Sequence, residues 1–391
     1  MGYTVYLKKN EEKNLFGGYG FVYANEVSKI EGKDKNGSLA TVRSFDGRFI
    51  GKGYINHLSK ILVRIFIYSD ADDEREVILS RIKRAAALRE ETIGGDNYRA
   101  VFAEADLLPG LIVDRYGDCL SVQFLTLGMD IRKAMITDML VEVFSPRAII
   151  ERSDVAIRKK EGLEPVKGVL YGENLSTADV CENGLKMRID LLDGQKTGYF
   201  LDQKCNRFAV RKYVKGKTVL DCFCNAGGFS LNAAAGGAKE VLALDISATA
   251  LDEVNENARL NGITNVTTVL CDVFEKLREY RAEKKTFDAI VLDPPAFCKD
   301  KNQLAAALNG YKDVNVLAMK LLVDGGILFS SSCSHFVSVG KFKEMLAQSA
   351  KECGKIVQIL EVRSQASDHP TLISNDESSY LKFFVLRVFS K

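Results

Sequence analysis

Between residues 218 and 293 the chain repeats one grammar: a short β-branched or aliphatic run that ends in an acid, followed by a segment of helix length. The runs are Thr218 to Asp221, Val241 to Asp245, Thr268 to Asp272 and Ala289 to Asp293. Strands of a parallel sheet are buried on both faces and read as unbroken apolar runs, and each must be joined to the next by a crossover, so this alternation predicts an α/β domain with a parallel sheet. Ile327 to Ser330, Ile356 to Leu360 and Phe383 to Val388 extend it to seven strands, the last pair forming a terminal hairpin. Ligands of such sheets collect outside the carboxyl ends of the strands, where the four acids stand.

A chain of 391 residues exceeds what one hydrophobic core supports, and three regions are distinguishable. Residues 1–72 alternate apolar and polar positions between glycines and predict a small β unit. Residues 73–185 open with acids that suit a helix start near Arg75. The segments Tyr98–Ala103, Leu111–Asp114, Leu120–Leu125 and Ala148–Arg152 then read as strands, with a helix over Asp130–Phe144, an α+β arrangement. Residues 186–391, entered through a hairpin over Leu185–Leu192, carry the α/β domain.

With 46% hydrophobic and 27% charged residues the chain forms cores, which excludes disorder. The net charge of +2 divides into +3, −5 and +4 over the three regions, so no overall field announces a polyanionic partner. Nine cysteines, an odd number without a Cys-x-x-Cys pair, read as reduced thiols and predict a cytoplasmic protein without a disulfide framework or metal. Neither a leader nor a membrane-spanning run is evident.

Asp221 opens a strand-to-helix turn, Asp221 to Ser230, in which Phe223, Asn225, Gly227, Phe229 and Ser230 bring backbone close to a ligand. It is not Gly-x-Gly-x-x-Gly, which disfavours a dinucleotide. Asp245, followed by Ile246, is placed to accept both hydroxyls of a ribose, and Asp272, followed by Val273, to accept from an adenine amino group. An adenosine pocket without a phosphate cradle has the shape of S-adenosylmethionine. Any one of these acids alone would more often be a turn or helix cap.

Asp293-Pro294-Pro295-Ala296-Phe297 fixes a rigid turn at a strand end, with Pro295 and Phe297 placed to contact a flipped base. Beyond the fifth strand, Cys333 lies in a serine-rich loop, Ser330 to Phe336. Carbon 5 of a pyrimidine needs a thiolate to add at carbon 6 before it can be methylated, and a cysteine there supplies one.

These motifs resemble those of the bacterial 23S ribosomal RNA cytosine-5 methyltransferases, which join a PUA domain, a central EEHEE domain and a class I methyltransferase domain. The resemblance extends to the stretches 103–117, 151–162, 196–203 and 310–313. It implies a multidomain fold with a PUA β-barrel at 1–72, the EEHEE domain at 73–185 and a Rossmann-like methyltransferase at 186–391. It also implies S-adenosylmethionine as cofactor, bound by the Asp221–Ser230 turn, Asp245, Ile246, Asp272, Val273, Asp293 and Pro294, with Tyr199 and Gln203 closing the pocket. Cys333 would be the nucleophile and Asp293 would sit near the methyl group. Arg152, Arg158, Lys159 and Lys160 invite contacts to the RNA backbone, and a solvated basic strip accounts for them equally well. Two features depart from the family: Gly18-Tyr19-Gly20-Phe21 stands where a His-Pro-Trp-like segment is usual, and Cys298 does not follow Asp-Pro-Pro directly and reads as a spectator.

Two other functions fit some of the motifs. Methylation of a base nitrogen, on guanine or adenine, would use Asp-Pro-Pro without a cysteine, and a non-catalytic RNA-binding or ribosome-assembly factor would keep the fold alone. The resemblance implies 23S rRNA as the partner, naked or partly assembled, and a homodimer is compatible with the chain.

Overall fold

The computed structural model describes residues 2–298, 300–375 and 378–391, Lys301 by its backbone alone. The chain divides into two compact units where the sequence suggested three domains. The first holds the chain up to Val180 with Ile189–Leu201 and Ser367–Ser378, and the second holds Cys181–Arg188, Asp202–Ala366 and Ser379–Lys391. Among the described residues no helix is long and apolar enough to cross a membrane.

In the first unit, the six N-terminal strands run Phe21–Tyr23, Ile61–Ile67, Phe49–Ile55, Leu39–Arg43, Tyr3–Leu7 and Val27–Glu31 across their sheet. Val5, Leu7, Val42, Ile55 and Val63 fill its core. The following helix, Glu74–Thr92, starts where the acids suggested: Asp73 accepts from the backbone N–H groups of Arg75 and Glu76. A five-stranded sheet then orders Val166–Gly172, Ala148–Ser153, Cys119–Phe124, Leu111–Tyr116 and Asn97–Phe102. Its edge strand Val166–Gly172 is missing from the sequence reading because every residue of it is exposed or half-buried, leaving no apolar alternation to see. Besides its own core, the N-terminal sheet shares a second one with the elements that follow it. Tyr54, Phe66 and Ile67 of the first sheet pack in one apolar cluster with Ile78 and Ile82 of the helix and Tyr98 and Phe124 of the second sheet.

The C-terminal segment Ser367–Ser378 is tied into this unit by buried charge. Arg89 donates to both oxygens of Asp106 at 2.7 Å and to the carbonyl of Asp368 at 2.9 Å. The Asp368 carboxylate accepts from the Arg99 backbone N–H at 3.0 Å and contacts His369 Nδ1 at 2.8 Å.

The second unit is built on the seven expected strands, labelled β1 (Thr218–Cys222), β2 (Glu240–Asp245), β3 (Val266–Leu270), β4 (Phe287–Leu292), β5 (Leu322–Ser332), β6 (Lys355–Arg363) and β7 (Lys382–Ser390). Their order is β3-β2-β1-β4-β5-β7-β6, with β1 to β5 parallel and β7 antiparallel to both neighbours. The chain reverses direction between β1 and β4, which makes the carboxyl ends of those two strands the switch point where ligands bind. Leu220, Leu242, Ile290, Leu328 and Phe384 face one core cluster, and Val219, Val241, Val291, Phe329 and Phe383 face another. The strand pair β6–β7 is antiparallel as expected, though the residues joining them include the segment that belongs to the first unit.

Candidate active site

The turn after β1 is held in a backbone conformation that few side chains tolerate. Phe223, Asn225 and Gly227 have φ of 64°, 48° and 81°. Left-handed conformations at two non-glycine residues in one loop are costly and persist where the surroundings enforce them. Gly227 has a second constraint, since a Cβ there would stand 3.0 Å from both methyls of Val254. The Asn225 backbone N–H donates to Asp245 Oδ2 at 3.0 Å, which ties the turn to the end of β2. Asp245 Oδ1 accepts from the Ser247 N–H at 3.0 Å. Each carboxylate oxygen has two lone pairs, so both retain capacity for ribose hydroxyls. Ile246, 73% exposed, offers an aliphatic face beside them.

Asp221 is fully buried at the end of β1, and Ser230 Oγ donates to its Oδ2 at 2.6 Å. Its Oδ1 is buried without a hydrogen-bond partner among the described residues. Burial, with the nearby Asp293 and Asp245 charges adding to it, pushes the Asp221 carboxyl up to about 7. A buried acceptor left open in an acidic pocket suits a cationic ligand, and the ammonium and sulfonium groups of S-adenosylmethionine supply that charge.

Asp293 follows β4. Gln203 Nε2 donates to its Oδ1 at 2.8 Å, and Ser331 Oγ on β5 makes a very short bond to the same oxygen. Burial raises its carboxyl to about 6, with the Ser331 hydrogen bond opposing. The β4–β5 register pairs Leu292 with Ser330, so the Asp293 and Cys333 loops leave adjacent parallel strands at the same end. The two loops are further joined where the Cys298 N–H donates to Ser334 Oγ at 3.1 Å. Cys333 is half-buried, as are Cys271 and Cys353; burial pushes the thiols of Cys119, Cys222, Cys224, Cys271 and Cys353 above their ordinary range. Cys298 is buried and its Sγ donates to the Asp300 carbonyl at 3.2 Å, an internal bond that fits the spectator reading.

Several expected residues stand differently. Asp272 lies two residues beyond β3 and caps the helix Val273–Ala282, its Oδ1 accepting from the Glu275 N–H at 3.0 Å; Val273 is buried in the core. The Phe229 ring stacks on Phe383 with 5.7 Å between centroids, so only its backbone is available to the turn. Pro294 is buried and Pro295 exposed, while Phe297 packs against Tyr311 and Phe274. Tyr199 is buried in the first unit, where its N–H donates to the Tyr116 hydroxyl at 3.0 Å.

The two arginines expected on RNA are also internal. Arg152 donates to the carbonyls of Leu191 and Gly194 at 2.9 and 2.8 Å, and Arg158 to those of Glu164 and Phe124 and to Asp130. Guanidinium groups spent on buried acceptors do not reach a phosphate; in this strip Lys159 and Lys160 are the exposed cations. Lys382 and Ser331 were missed, and Lys382 left a signal: a lone cation opening the apolar run Phe383 to Leu386.

The β3-β2-β1-β4-β5-β7-β6 sheet, the strained turn after β1 and the acid ending β2 define a class I S-adenosylmethionine-dependent methyltransferase. Residues 153–387 match the family model for S-adenosylmethionine-dependent methyltransferases and residues 5–68 that for PUA-like domains. The chain is 42% identical over 394 residues to a protein of Aeromonas salmonicida named ribosomal RNA large subunit methyltransferase I, with 99% of this chain and all of the relative covered. A relative of the same name from Shewanella amazonensis is 42% identical with both chains fully covered. A putative methyltransferase solved in complex with SAH shares the fold, with a TM-score of 0.84 at 21% identity over 99% of this chain and all of that one. The chain belongs to the family of S-adenosylmethionine-dependent methyltransferases whose full-length relatives carry that large-subunit name, and S-adenosylmethionine is its cofactor.

Proposed function

We propose that the protein methylates carbon 5 of a cytosine in 23S ribosomal RNA in the reducing cytoplasm, through a covalent adduct on Cys333. The observation that carries the reading is a half-buried cysteine and an aspartate with a raised carboxyl on loops leaving adjacent parallel strands at the switch-point end. The large-subunit name of the full-length relatives supports the substrate class.

The Cys333 thiolate adds to carbon 6, forming a C–S bond and moving the ring's double-bond electrons toward carbon 5. S-adenosylmethionine supplies an electrophilic methyl group, which carbon 5 takes as the sulfonium carbon–sulfur bond breaks toward sulfur. A base then removes the carbon 5 proton, the double bond re-forms and the C–S bond breaks, returning the thiolate. Asp293, whose carboxyl is raised to about 6, can in its protonated form donate to the ring nitrogen N3 and draw charge from the ring as the thiolate adds. Gln203 and Ser331 fix that carboxyl.

Labelled methyl transfer to large-subunit rRNA, followed by nucleoside mass spectrometry, tests the reading. It predicts 5-methylcytidine with the wild type and none with Cys333→Ala. An N-methylated guanine or adenine, formed equally by both proteins, would replace it with the base-nitrogen reading.

A further inference from the structure

Lys382 is 4% exposed, and among the described residues no carboxylate lies within ion-pair distance of it. Keeping an ammonium in such a place is expensive unless something compensates its charge. Two of its three donors are spent on the carbonyls of Ser334, at 2.6 Å, and Tyr380, at 2.7 Å. The β5–β7 register sets Lys382 directly opposite Ser332. Cys333 is therefore bracketed: the residue before it pairs across the sheet with Lys382, and the residue after it is hydrogen-bonded by the Lys382 ammonium.

We infer that Lys382 is a positioning residue for Cys333, holding its loop through the Ser334 carbonyl and serving as the counter-charge of the thiolate. The inference rests on Cys333 being the nucleophile of the proposed reaction. A cysteine needs its thiolate to attack a ring carbon, and an adjacent cation is the ordinary way a protein populates it near neutrality.

Other groups face the pair. Cys298 faces it from the loop after β4, but its thiol already bonds the Asp300 carbonyl. Tyr311, on the helix Leu304–Leu321, and Tyr380 are neutral phenols; the first bonds Ser334 Oγ at 2.9 Å and the second donates to Asp202 at 2.5 Å. His335 is exposed and lies against the Tyr380 ring, and Asp293 is bonded to this strand end through Ser331. Burial lowers the Lys382 amine to about 8 and the Cys333 charge opposes that, so the ammonium is retained at neutral pH, where the thiolate is needed.

The test is the pH profile of Cys333 alkylation by iodoacetamide in the full-length protein, followed on the Cys333 peptide by mass spectrometry. The wild type is expected to show its inflection below the ordinary thiol value of about 8.5. In Lys382→Met it is expected to rise by at least about one pH unit, slowing alkylation at pH 7 about tenfold. An unchanged inflection in Lys382→Met overturns the inference. Should that variant not fold, a wild-type inflection at or above the ordinary thiol value overturns it as well. Methyl transfer by Cys333→Ala, measured in parallel, decides the nucleophile reading separately, because the thiol titrates with or without catalysis.

Discussion

Asp221 and Asp293 govern how the site answers to pH. Both carboxyls are raised chiefly by burial, to about 7 and about 6. The folded, ligand-free chain therefore holds protons that the unfolded chain releases near pH 4, and their stabilising contribution is complete below that pH and lost as pH rises through 6 and 7. A cationic ligand favours the ionised acids. We expect S-adenosylmethionine affinity, measured by calorimetry, to strengthen from about pH 5.5 to 7.5 and this dependence to flatten in Asp221→Asn; an equally steep profile in the variant would assign it to other groups. Asp245→Ala removes charged acceptors and should weaken cofactor binding about 10- to 100-fold. The acids were legible because each ends an apolar run. The internal partners of Arg152 and Arg158 were not, since a basic strip looks the same whether its guanidinium groups meet solvent or buried carbonyls distant in sequence.

At the scale of elements, the turn after β1 is the most constrained. Gly227→Ala forces an L side chain to φ 81° against Val254, and is expected to cost about 1–3 kcal/mol in thermal or denaturant unfolding and to weaken cofactor binding with it. Unchanged stability would mean that the turn relaxes freely. All seven strands of this sheet could be read because burial on both faces leaves unbroken apolar runs. The third was placed two residues too far along, since Cys271 and Asp272 continue its pattern while Asp272 in fact caps the next helix. The exposed strand Val166–Gly172 gave no such signal.

For the whole molecule, the compact units are not continuous in sequence: the first takes back Ile189–Leu201 and Ser367–Ser378 from the C-terminal half. Sequence patterns report which residues are buried and not which cluster buries them, so the shared core of the first two sheets was invisible. A fragment of residues 1–185 lacks the Asp368 partner of Arg89 and Arg99, and we expect it to unfold at lower temperature than the corresponding unit of the intact chain. Equal thermal stability would show that the linear boundary is adequate. The proposed methylation rests on the Cys333 adduct. Large-subunit rRNA carrying 5-fluorocytidine, incubated with the protein and S-adenosylmethionine, offers a ring whose carbon 5 substituent cannot leave as a proton does. The account predicts a denaturation-resistant protein–RNA adduct that maps to Cys333 and is absent in Cys333→Ala. Methylation of normal rRNA with no adduct on the fluorinated RNA, or an adduct that survives Cys333→Ala, would contradict it.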